Sequence, residues 1–434
     1  MLYSSHMTKQ KVCIRAVEKY NQHDIDVAMR CMIDELGGID RFVRKGQIIV
    51  LKPNLVIAAE PRKATTTHPM VVGAVAKLCA EAGASKVIVM DSPGGPFNPT
   101  YVNGVYKKTG MTAMVEDVRE WARENAPNCT VSLNDDFSET QVAYPDGVMA
   151  KKIPICTALY DADVIINIAK MKTHAFAGFS AACKNMYGAI PGLVKVEWHQ
   201  YFQDLNSFSD CMLDIQGYFA DKLNLHIVDA IEAMEGPGPT AGTPIHMGLL
   251  LASKCFTSVD IACVKLMDDD IYNMPTITRA AERGFVNKDL SIDIQGTSIA
   301  EFVNKKYKRM APSTFSATGK SKVTQWLMRR MFSQKPVVSK RKCIGCMKCS
   351  EHCPVDCIHS RDKGRGKRKG KYVTFDLDKC IRCFCCQELC PLHIVKVKTP
   401  IVVKIMNRSK RRRARKSQKR RASTNACPGM NNRQ

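Results

Sequence analysis

The stretch Cys343-Ile-Gly-Cys-Met-Lys-Cys-Ser-Glu-His-Cys-Pro354 is followed later in the chain by Cys380-Ile-Arg-Cys-Phe-Cys-Cys-Gln-Glu-Leu-Cys-Pro391. In each copy, three cysteines are separated by two residues, and a fourth cysteine follows after three more and precedes a proline. Thiolates at this spacing can surround one corner of an iron–sulfur cluster on a tight loop, and the proline then turns the chain toward the next element. The repeat therefore indicates one-electron transfer as the chemistry of this part of the chain.

The repeat resembles the two-cluster module of bacterial ferredoxins, in which each run gives three thiolates to one cluster and its fourth to the other. On this basis we predict two [4Fe-4S] clusters. The predicted ligands of the first are Cys343, Cys346, Cys349 and Cys390, and those of the second are Cys353, Cys380, Cys383 and Cys386. Zinc is the alternative, but zinc sites usually pair two short motifs for each ion, which two identical four-cysteine runs fit poorly.

Two further cysteines lie in this region. Cys357 follows the first run, and Cys385 lies inside the second. We interpret both as packed thiols, although Cys385 could compete for a cluster position. The stretch between the runs, residues 361–371, is rich in lysine and arginine and is longer than a minimal ferredoxin needs, so we predict an exposed hairpin extension.

The charge of the chain is concentrated at its carboxyl end. The 434 residues carry a net charge of +24, and from Pro336 onward there are 27 Lys and Arg against 6 Asp and Glu, a net charge of +21. A chain of this length and a hydrophobic content of 45% can form two or three domains. We predict an α/β domain over residues 1–310, a linker over 311–336, a ferredoxin domain over 337–400 and a basic disordered tail over 401–434.

The sequence of the tail and the composition of the chain indicate which partners and which cellular compartment to expect. Residues 408–421 are nearly all basic and have no aromatic side chains to stack on bases, so we predict non-specific contact with polyanions or with an acidic redox partner. Nucleic acid and an acidic membrane surface remain the alternatives. No apolar stretch approaches about 18 residues, which predicts no membrane span. Scattered cysteines and no evident signal peptide predict a reducing, cytoplasmic location.

Residues 1–310 alternate between strand-like and helix-like patterns. Continuous apolar runs predict strands over residues 47–52, 86–91, 161–170, 223–229 and 246–252, and helical spacing predicts helices over 70–82 and 259–267. This alternation favours an α/β domain with a mostly parallel sheet. The predicted fold class is thus an α/β domain followed by a small α+β ferredoxin-like iron–sulfur domain.

Polar side chains follow several of these strands, and the carboxyl ends of parallel strands gather the chemistry in such sheets. Their lysines and histidines predict a site for a small anionic substrate. We predict His174, Lys172, Lys52 and Lys184 as catalytic residues, with His199 as a further acid–base candidate, and Asn54, Asp91, Ser92, Gly94, Gly95, Lys170 and Asn185 as substrate-binding residues. Taken singly, each also fits a turn, a helix cap or a solvated lysine.

The motifs Lys52-Pro-Asn-Leu, Asp91-Ser-Pro-Gly-Gly, Lys170-Met-Lys-Thr-His and Lys184-Asn-Met-Tyr-Gly resemble domain-of-unknown-function family 362 over about residues 10–310. Members of that family are often fused to a ferredoxin domain, so the resemblance implies an iron–sulfur protein and no established reaction. A fainter similarity is to the lactate-racemase-like α/β proteins, which hold a nickel pincer cofactor through lysine and histidine.

Three functions are compatible with these observations. The first is an electron-transfer oxidoreductase that acts on a small anionic substrate in the α/β domain. The second is a non-enzymatic ferredoxin-type carrier whose large domain docks a partner protein. The third is a nucleic-acid-associated protein that uses the basic tail. The absence of a Walker or Rossmann glycine fingerprint leaves nucleotide binding without motif support.

Overall fold

A computed structural model describes residues 9–202, 204–310, 333–363 and 370–401. Most of the predicted linker, including a short helix expected over residues 323–332, lies outside the described residues. The predicted tail also lies outside them, apart from Ile401.

The larger domain contains eleven strands in its described residues. They are β1 (Gln10–Ala16), β2 (Ile48–Pro53), β3 (Lys86–Val89), β4 (Thr130–Leu133), β5 (Glu139–Ala143), β6 (Lys152–Cys156), β7 (Val164–His174), β8 (Gly178–Ser180), β9 (Leu223–Glu235), β10 (Thr243–Ser253) and β11 (Ile292–Gly296). Nine of them form one sheet in the order β11-β1-β10-β9-β7-β2-β3-β4, with β8 paired to β7 alone. The other two, β5 and β6, form a separate antiparallel pair.

The helices cover both faces of the sheet. They are α1 (Gln22–Glu35), α2 (Pro69–Glu81), α3 (Pro99–Lys108), α4 (Met111–Asn125), α5 (Thr157–Asp161), α6 (Ala182–Asn185), α7 (Val194–Tyr201), α8 (Leu205–Tyr218), α9 (Phe256–Leu266), α10 (Pro275–Glu282) and α11 (Ile299–Phe302). Short 3-10 turns lie at Ile39–Arg41, Pro61–Lys63, Met186–Ala189 and Ile271–Asn273. Alternate residues of each strand enter opposite cores, since Ile49 and Leu51 pack with α1 and α2 whereas Val50 packs with α8 and α9.

The predicted mostly parallel sheet is confirmed. Neighbouring strands β9, β7, β2, β3 and β4 all run parallel, and β1 runs parallel to β11. The exception in this row is β10, which lies antiparallel to both β9 and β1 because it returns directly from β9 as a long hairpin.

Three strands are longer than the sequence predicted, and one of them, β10 (Thr243–Ser253), begins three residues before its predicted start. Strand β7 continues to His174 because its last residues pair with β8, and β9 continues to Glu235 because it pairs with β10. The residues from Lys170 to His174, and Asp229 as well, therefore lie within strands and are buried. The alternative of a solvated lysine is therefore wrong for Lys170 and Lys172.

The cysteine-rich domain is small. It contains β12 (Lys335–Val338), α12 (Lys348–Glu351), β13 (Ile358–Asp362), β14 (Lys371–Phe375), α13 (Cys385–Glu388) and β15 (Val395–Lys398). The antiparallel pairs are β12 with β15 and β13 with β14. Helix α12 lies in the second half of the first cysteine run, and α13 lies in the second half of the second run. Strands β13 and β14 flank the predicted hairpin extension, whose residues 364–369 lie outside the described ranges. Strand β12 begins two residues before the predicted domain boundary.

The small domain packs against the large one through the second cysteine run. Phe384 is 2% exposed and belongs to the apolar core that also contains α8 and α9. Gln387 donates from Nε2 to the carbonyl oxygen of Pro237 at 2.6 Å, and His174 Nε2 lies 3.3 Å from Glu388 Oε1. These contacts bring the end of β7 to the second cysteine run.

His226 gives the large domain a predicted acid sensitivity. It lies buried in β9, its Nδ1 accepts from the Asn167 amide at 3.1 Å, and burial lowers its pKa to about 3. An unfolded histidine takes up a proton below about pH 6.5, whereas this one stays neutral when folded, so the free energy of unfolding falls by about 1.4 kcal/mol per pH unit as the pH drops from about 6.5 toward 3.

Urea titrations at several pH values, followed by tryptophan fluorescence, measure this dependence. His226→Gln is expected to lower the slope by about that amount. The exposed His23→Gln serves as the matched control. An unchanged slope in His226→Gln contradicts the assignment.

Candidate functional site

A cavity lies where the two domains meet. Most of its wall comes from the loops after β2 and β3, the end of β7 and the segment from α6 to α7, and the remainder comes from the second cysteine run. The polar and cysteine residues that line it are Asn54, Asp91, Ser92, Lys172, His174, Ser180, Lys184, Asn185, Tyr187, Lys195, His199, Cys385 and Glu388.

A buried ion pair lies beneath the cavity floor. Lys52 Nζ donates to Asp91 Oδ1 at 2.7 Å, and Asp91 Oδ2 accepts from the backbone N–H of Leu55 at 2.6 Å. Lys52 is fully buried and Asp91 is 3% exposed. Since each charge is compensated by the other, this pair is built to hold the β2 and β3 loops together, and only Asp91 reaches the cavity wall.

A chain of side-chain amides orients Lys172. Asn185 Nδ2 donates to Asn167 Oδ1 at 2.7 Å, and Asn185 Oδ1 accepts from Asn54 Nδ2 at 2.9 Å. Asn54 Oδ1 in turn accepts from Lys172 Nζ at 2.7 Å, and Lys172 also donates to the carbonyl oxygen of Thr65. Burial, and then the nearby charge of Lys184, lowers the pKa of Lys172 to about 7.

Lys195 is held in a similar way on the opposite wall. Its Nζ donates to Ser92 Oγ at 2.8 Å and to the carbonyl oxygen of Ile190 at 2.7 Å. Ser92 Oγ also accepts from the backbone N–H of Gly192. Burial lowers the pKa of Lys195 to about 8, so this ammonium group, like Lys172, loses its proton close to neutral pH.

Lys184 differs from these lysines because its ammonium group has no ion pair and no hydrogen bond among the described residues. It lies over the rings of Tyr187, at 5.0 Å from the centroid, and Phe208, at 5.8 Å. Burial lowers its pKa, and the negative charge of Glu388 opposes that effect. Lys184 is therefore a cation held against aromatic faces and presented to the cavity, which is favourable for binding an anion.

His199 presents a hydrogen-bond acceptor to the same cavity. Its Nδ1 lies 2.6 Å from the carbonyl oxygen of Lys195, which can only accept, so Nδ1 carries the proton. Burial lowers the pKa of His199 to about 4. The ring is then neutral at pH 7, and its buried Nε2 has no partner in the described residues. A ligand at this wall is expected to supply a hydrogen-bond donor to Nε2.

His174 joins the two domains. Its Nδ1 accepts from the backbone N–H groups of Phe176 and Ala177, which leaves the proton on Nε2, 3.3 Å from Glu388 Oε1. Burial lowers the pKa of His174 to about 4. Burial alone raises the pKa of Glu388, but the hydrogen bond from His174 and the charge of Lys184 outweigh it and lower the value to about 2. The site thus contains a neutral histidine bonded to a carboxylate.

The structure brings eight of the eleven predicted site residues outside the cysteine runs to this cavity: Asn54, Asp91, Ser92, Gly94, Lys172, His174, Lys184 and Asn185. Lys52 lies directly behind it. Gly95 and Lys170 do not line it. The backbone N–H of Gly94 does not point to a ligand, because it donates to the carbonyl oxygen of Val56 at 2.8 Å.

Lys170 belongs to a separate buried network. Its Nζ donates to Tyr20 Oη at 2.7 Å and to Asp229 Oδ2 at 2.9 Å, and the Tyr20 hydroxyl donates to Asp229 Oδ1 at 2.9 Å. The Tyr20 ring stacks on His68, with centroids 3.7 Å apart. Because its members form hydrogen bonds with one another, we interpret this network as a structural link between the segment after β1, which contains Tyr20, and strands β7 and β9.

Some cavity residues were not in the predicted set of site residues. Lys195 was absent from it, and His199 was named only as a further acid–base candidate. Both lie in a segment that the sequence marked as loop-rich, and their spacing of four residues in α7 was the available signal. Ser180 carried no signal. Glu388 and Cys385 come from the other domain, and their role in this wall depends on domain packing that a motif search cannot detect.

The predicted cluster ligands surround two further cavities of similar size. Each contains space not filled by protein atoms, about 350 Å³ in the first and about 340 Å³ in the second. The first is lined by Cys343, Cys346, Cys349 and Cys390, and the second by Cys353, Cys380, Cys383 and Cys386 together with Cys349, Cys357 and Cys385. The donor set, four thiolates around each cavity, fits a [4Fe-4S] cluster.

The thiols surround these cavities instead of converging on a point. In the described ranges, no three His, Cys, Asp or Glu side chains approach closely enough to hold one metal ion. A cluster with four irons, each bound by one thiolate, needs its ligands spread in this way.

The two additional cysteines are both buried, as packed thiols are expected to be. Cys357 Sγ lies 3.5 Å from Cys353 Sγ, and the Cys357 backbone N–H points at the same sulfur. Cys385 lines both the second cysteine cavity and the interdomain cavity. Cys385 therefore borders both spaces.

Gly188 lies where the 3-10 turn at Met186–Ala189 comes close to the Lys52–Asp91 ion pair, which leaves no room for a side chain. A Cβ at this position would lie 2.7 Å from Lys52 Nζ and closer still to Asp91 Oδ1. Gly188→Ala is therefore expected to separate the pair and destabilise the protein by about 1–3 kcal/mol. Thermal unfolding monitored by circular dichroism measures the effect.

Gly104→Ala is the matched control, because nothing lies within 4 Å of a Cβ at this position in α3. Alanine is favoured over glycine in a helix, so this change is expected to be neutral or stabilising by about 0.5–1 kcal/mol. Equal stability of the Gly188 and Gly104 variants contradicts the close packing described for the 3-10 turn.

The cysteine repeat and the α/β fold define an iron–sulfur electron-transfer protein with a larger α/β domain. A 4Fe-4S dicluster domain matches residues 342–394, which confirms the predicted ferredoxin-type domain and its iron–sulfur cofactor. The chain belongs to the family described as a domain of unknown function, DUF362, which matches residues 49–265, half of the chain. The predicted family is therefore confirmed.

The thylakoid-associated protein sll1697 of Synechocystis sp. is 30% identical over 278 residues, which cover 64% of this chain and 80% of that protein. Among solved structures, the lactate racemase apoprotein from Thermoanaerobacterium thermosaccharolyticum matches with a TM-score of 0.36 and 15% identity. The match covers 59% of this chain and 57% of the racemase chain, and similarity of this degree carries no argument about function.

None of the helices in the described part of the chain combines the length and the apolar character needed to cross a lipid bilayer.

Proposed function

We propose that this protein is an electron-transfer oxidoreductase whose small anionic substrate binds in the interdomain cavity. The observation that carries the proposal is Lys184, a cation without an ion pair or hydrogen-bond partner in the described residues, presented to a cavity that shares Cys385 with a cysteine-lined neighbour. A half-buried cation without such a partner is costly unless a ligand compensates it, so an anion is the expected occupant.

We assign the [4Fe-4S] cluster nearer the cavity to Cys353, Cys380, Cys383 and Cys386, and the other to Cys343, Cys346, Cys349 and Cys390. When bound, these groups supply one-electron transfer. Cys385 forms the wall between the nearer ligand set and the substrate space. Its side chain is small, which leaves the two spaces close together.

The remaining residues bind and orient the substrate. Lys184 and Lys195 supply positive charge, and Lys172 is held toward the same space by Asn54. Val56, Val196, Pro239 and Leu389 line the apolar part of the wall. The neutral Nε2 of His199 accepts a hydrogen bond, so an anion that also carries a hydroxyl or other donor, such as a hydroxycarboxylate, suits the cavity better than a bare anion.

His174 and Glu388 close the cavity from the small domain. Because their contact spans the two domains, substrate binding and domain packing depend on the same residues. His174 keeps its proton on Nε2, directed at Glu388, and both groups lie on the cavity wall. This pair is the acid–base element available to a bound substrate.

The proposal is tested with anaerobically purified full-length protein. Calorimetry with oxalate, glycolate and inorganic phosphate measures binding. Absorbance reports whether a hydroxycarboxylate such as glycolate reduces the oxidised protein, losing two electrons (one to each cluster) and two protons to become glyoxylate, and whether a 2-oxo acid such as glyoxylate reoxidises the reduced protein by the reverse reaction. We expect binding in the cavity and at least one of these two electron transfers. If none of these anions binds and neither transfer occurs, the second function, a carrier with a docking domain, is supported instead.

A further inference from the structure

We infer that the exposed end of the first cysteine cavity is the docking surface for an acidic electron-carrier protein. The inference rests on the ligand assignment made above. It concerns the surface at which electrons would enter the protein, whereas the substrate cavity is where they would be used. The surface, called the entry face below, has Ile344, Cys346 and Leu392 at its centre.

The centre of the entry face is apolar and exposed. Ile344 is 63% exposed and Leu392 is 45% exposed, and both line the first cysteine cavity. Cys346, one of the four thiols of that cavity, is exposed as well. The second cavity differs, because Phe384 and Cys385 beside it are buried against the large domain. Cys346 is the predicted ligand that is most open to solvent, so the first ligand set is the more accessible of the two to a partner protein.

Cations surround this centre. Lys340, Arg341 and Lys342 are exposed and immediately precede Cys343, and Lys348 is exposed between two predicted ligands. Lys371 packs against Gly345, since its Cβ would lie 2.8 Å from a Cβ at that glycine. Residues 333–350 contain no Asp or Glu.

These charges are not neutralised within the described part of the chain. No ion pair found there involves Lys340, Arg341, Lys342, Lys348 or Lys371, and Lys340 instead lies over the Tyr372 ring at 5.0 Å. A basic rim around an apolar centre is complementary to a partner with an acidic rim around its own electron-transfer site. The exposed Cys346 and the apolar side chains at the centre favour a redox protein over nucleic acid, because the phosphate backbone of a nucleic acid does not bind apolar side chains.

Docking at this face permits a simple exchange. One electron leaves the reduced partner, which is oxidised, and enters the cluster bound by the first ligand set, which is reduced. No bond forms or breaks, and no other reactant is needed. The partner's acidic rim would speed the encounter by electrostatic steering, an effect that weakens as salt screens the charges.

The test uses full-length holoprotein and a plant-type [2Fe-2S] ferredoxin as the acidic probe. Stopped-flow absorbance gives the second-order rate constant of electron exchange. The variant Lys340→Glu/Arg341→Glu/Lys342→Glu is expected to lower this constant by about tenfold or more at low ionic strength, and the difference is expected to shrink at high salt.

The matched control is Lys107→Glu/Lys151→Glu/Lys152→Glu, which reverses three exposed lysines of the large domain. It changes the net charge equally and is expected to leave the rate within about twofold, because charges beyond a Debye length are screened. Iron content, and reduction by photoreduced deazariboflavin, an uncharged reductant, verify that both variants retain working clusters. If a variant has lost iron or is no longer reduced by deazariboflavin, the ligand assignment is in question and the docking surface is not.

Equal rates for wild type and the entry-face variant overturn the inference, since contact through the basic tail would give that result. Loss of duplex-DNA binding in the same variant, with electron exchange unchanged, also overturns it and makes the face a nucleic-acid site.

Discussion

Cys380→Ala is expected to halve the iron content, from about eight to about four atoms per chain in anaerobically purified protein. Cys380 is 7% exposed and lines only the second cysteine cavity, so its loss removes one ligand of one cluster. Cys346→Ala is expected to remove the other four irons, because Cys346 lines only the first cavity. Iron and sulfide analysis, with electron paramagnetic resonance of the reduced protein, measures both effects.

Cys385→Ala is the matched control, since Cys385 lies in the same run but outside the repeated spacing. It is expected to keep about eight irons and to leave both signals in place. If Cys385→Ala loses four irons while Cys380→Ala keeps them, the ligand assignment within the second run is wrong.

The second large effect concerns Lys184. Lys184→Met removes the cation that has no partner in the described residues but keeps a side chain of similar length against Tyr187 and Phe208. A charged hydrogen bond contributes about 1.5–3 kcal/mol, so the dissociation constant for oxalate is expected to rise about ten- to hundredfold. Calorimetry at pH 7 measures the change.

Lys222→Met is the matched control, because Lys222 also lies over a tyrosine ring, that of Tyr160, and is away from the cavity. It is expected to leave oxalate affinity unchanged. An equal loss of affinity in both variants, or none in Lys184→Met, means that the anion binds elsewhere.

The same titration has a predicted pH dependence. Burial lowers the pKa of Lys172 to about 7 and of Lys195 to about 8, so the two ammonium groups lose their protons between about pH 6 and 9. An anion is bound by the protonated forms. Oxalate affinity in the wild type is therefore expected to be highest below about pH 6 and to fall steadily as the pH rises through this range.

The cysteine domain and the strands of the sheet were predictable because their signals are local. Ligand spacing is set within each cysteine run, and a buried parallel strand such as β2 requires a continuous apolar segment. The ends of β7 and β9 were not predictable, since polar residues such as Lys172 and Asp229 are accommodated there by partners distant in sequence.

The candidate site was predictable to the extent that strand ends gather polar residues. Asn54, Asp91 and Lys172 come together because parallel strands end at one edge of the sheet. The sequence could not distinguish Lys170, which is paired with Asp229, from Lys184, which has no such partner in the described residues, because pairing is decided by tertiary contacts. Glu388 reaches the cavity through domain packing, which leaves no pattern in the sequence.

Anomalous diffraction from crystals of the holoprotein soaked in selenate would locate the bound anion relative to the clusters. Selenium and iron are located separately at their own absorption edges, and selenate is a compact dianion. We expect iron in both cysteine-lined cavities and selenium beside Lys184, in the cavity that Cys385 shares with the nearer iron site. Selenium elsewhere, with none in the interdomain cavity, would show that Lys184 does not bind the anion.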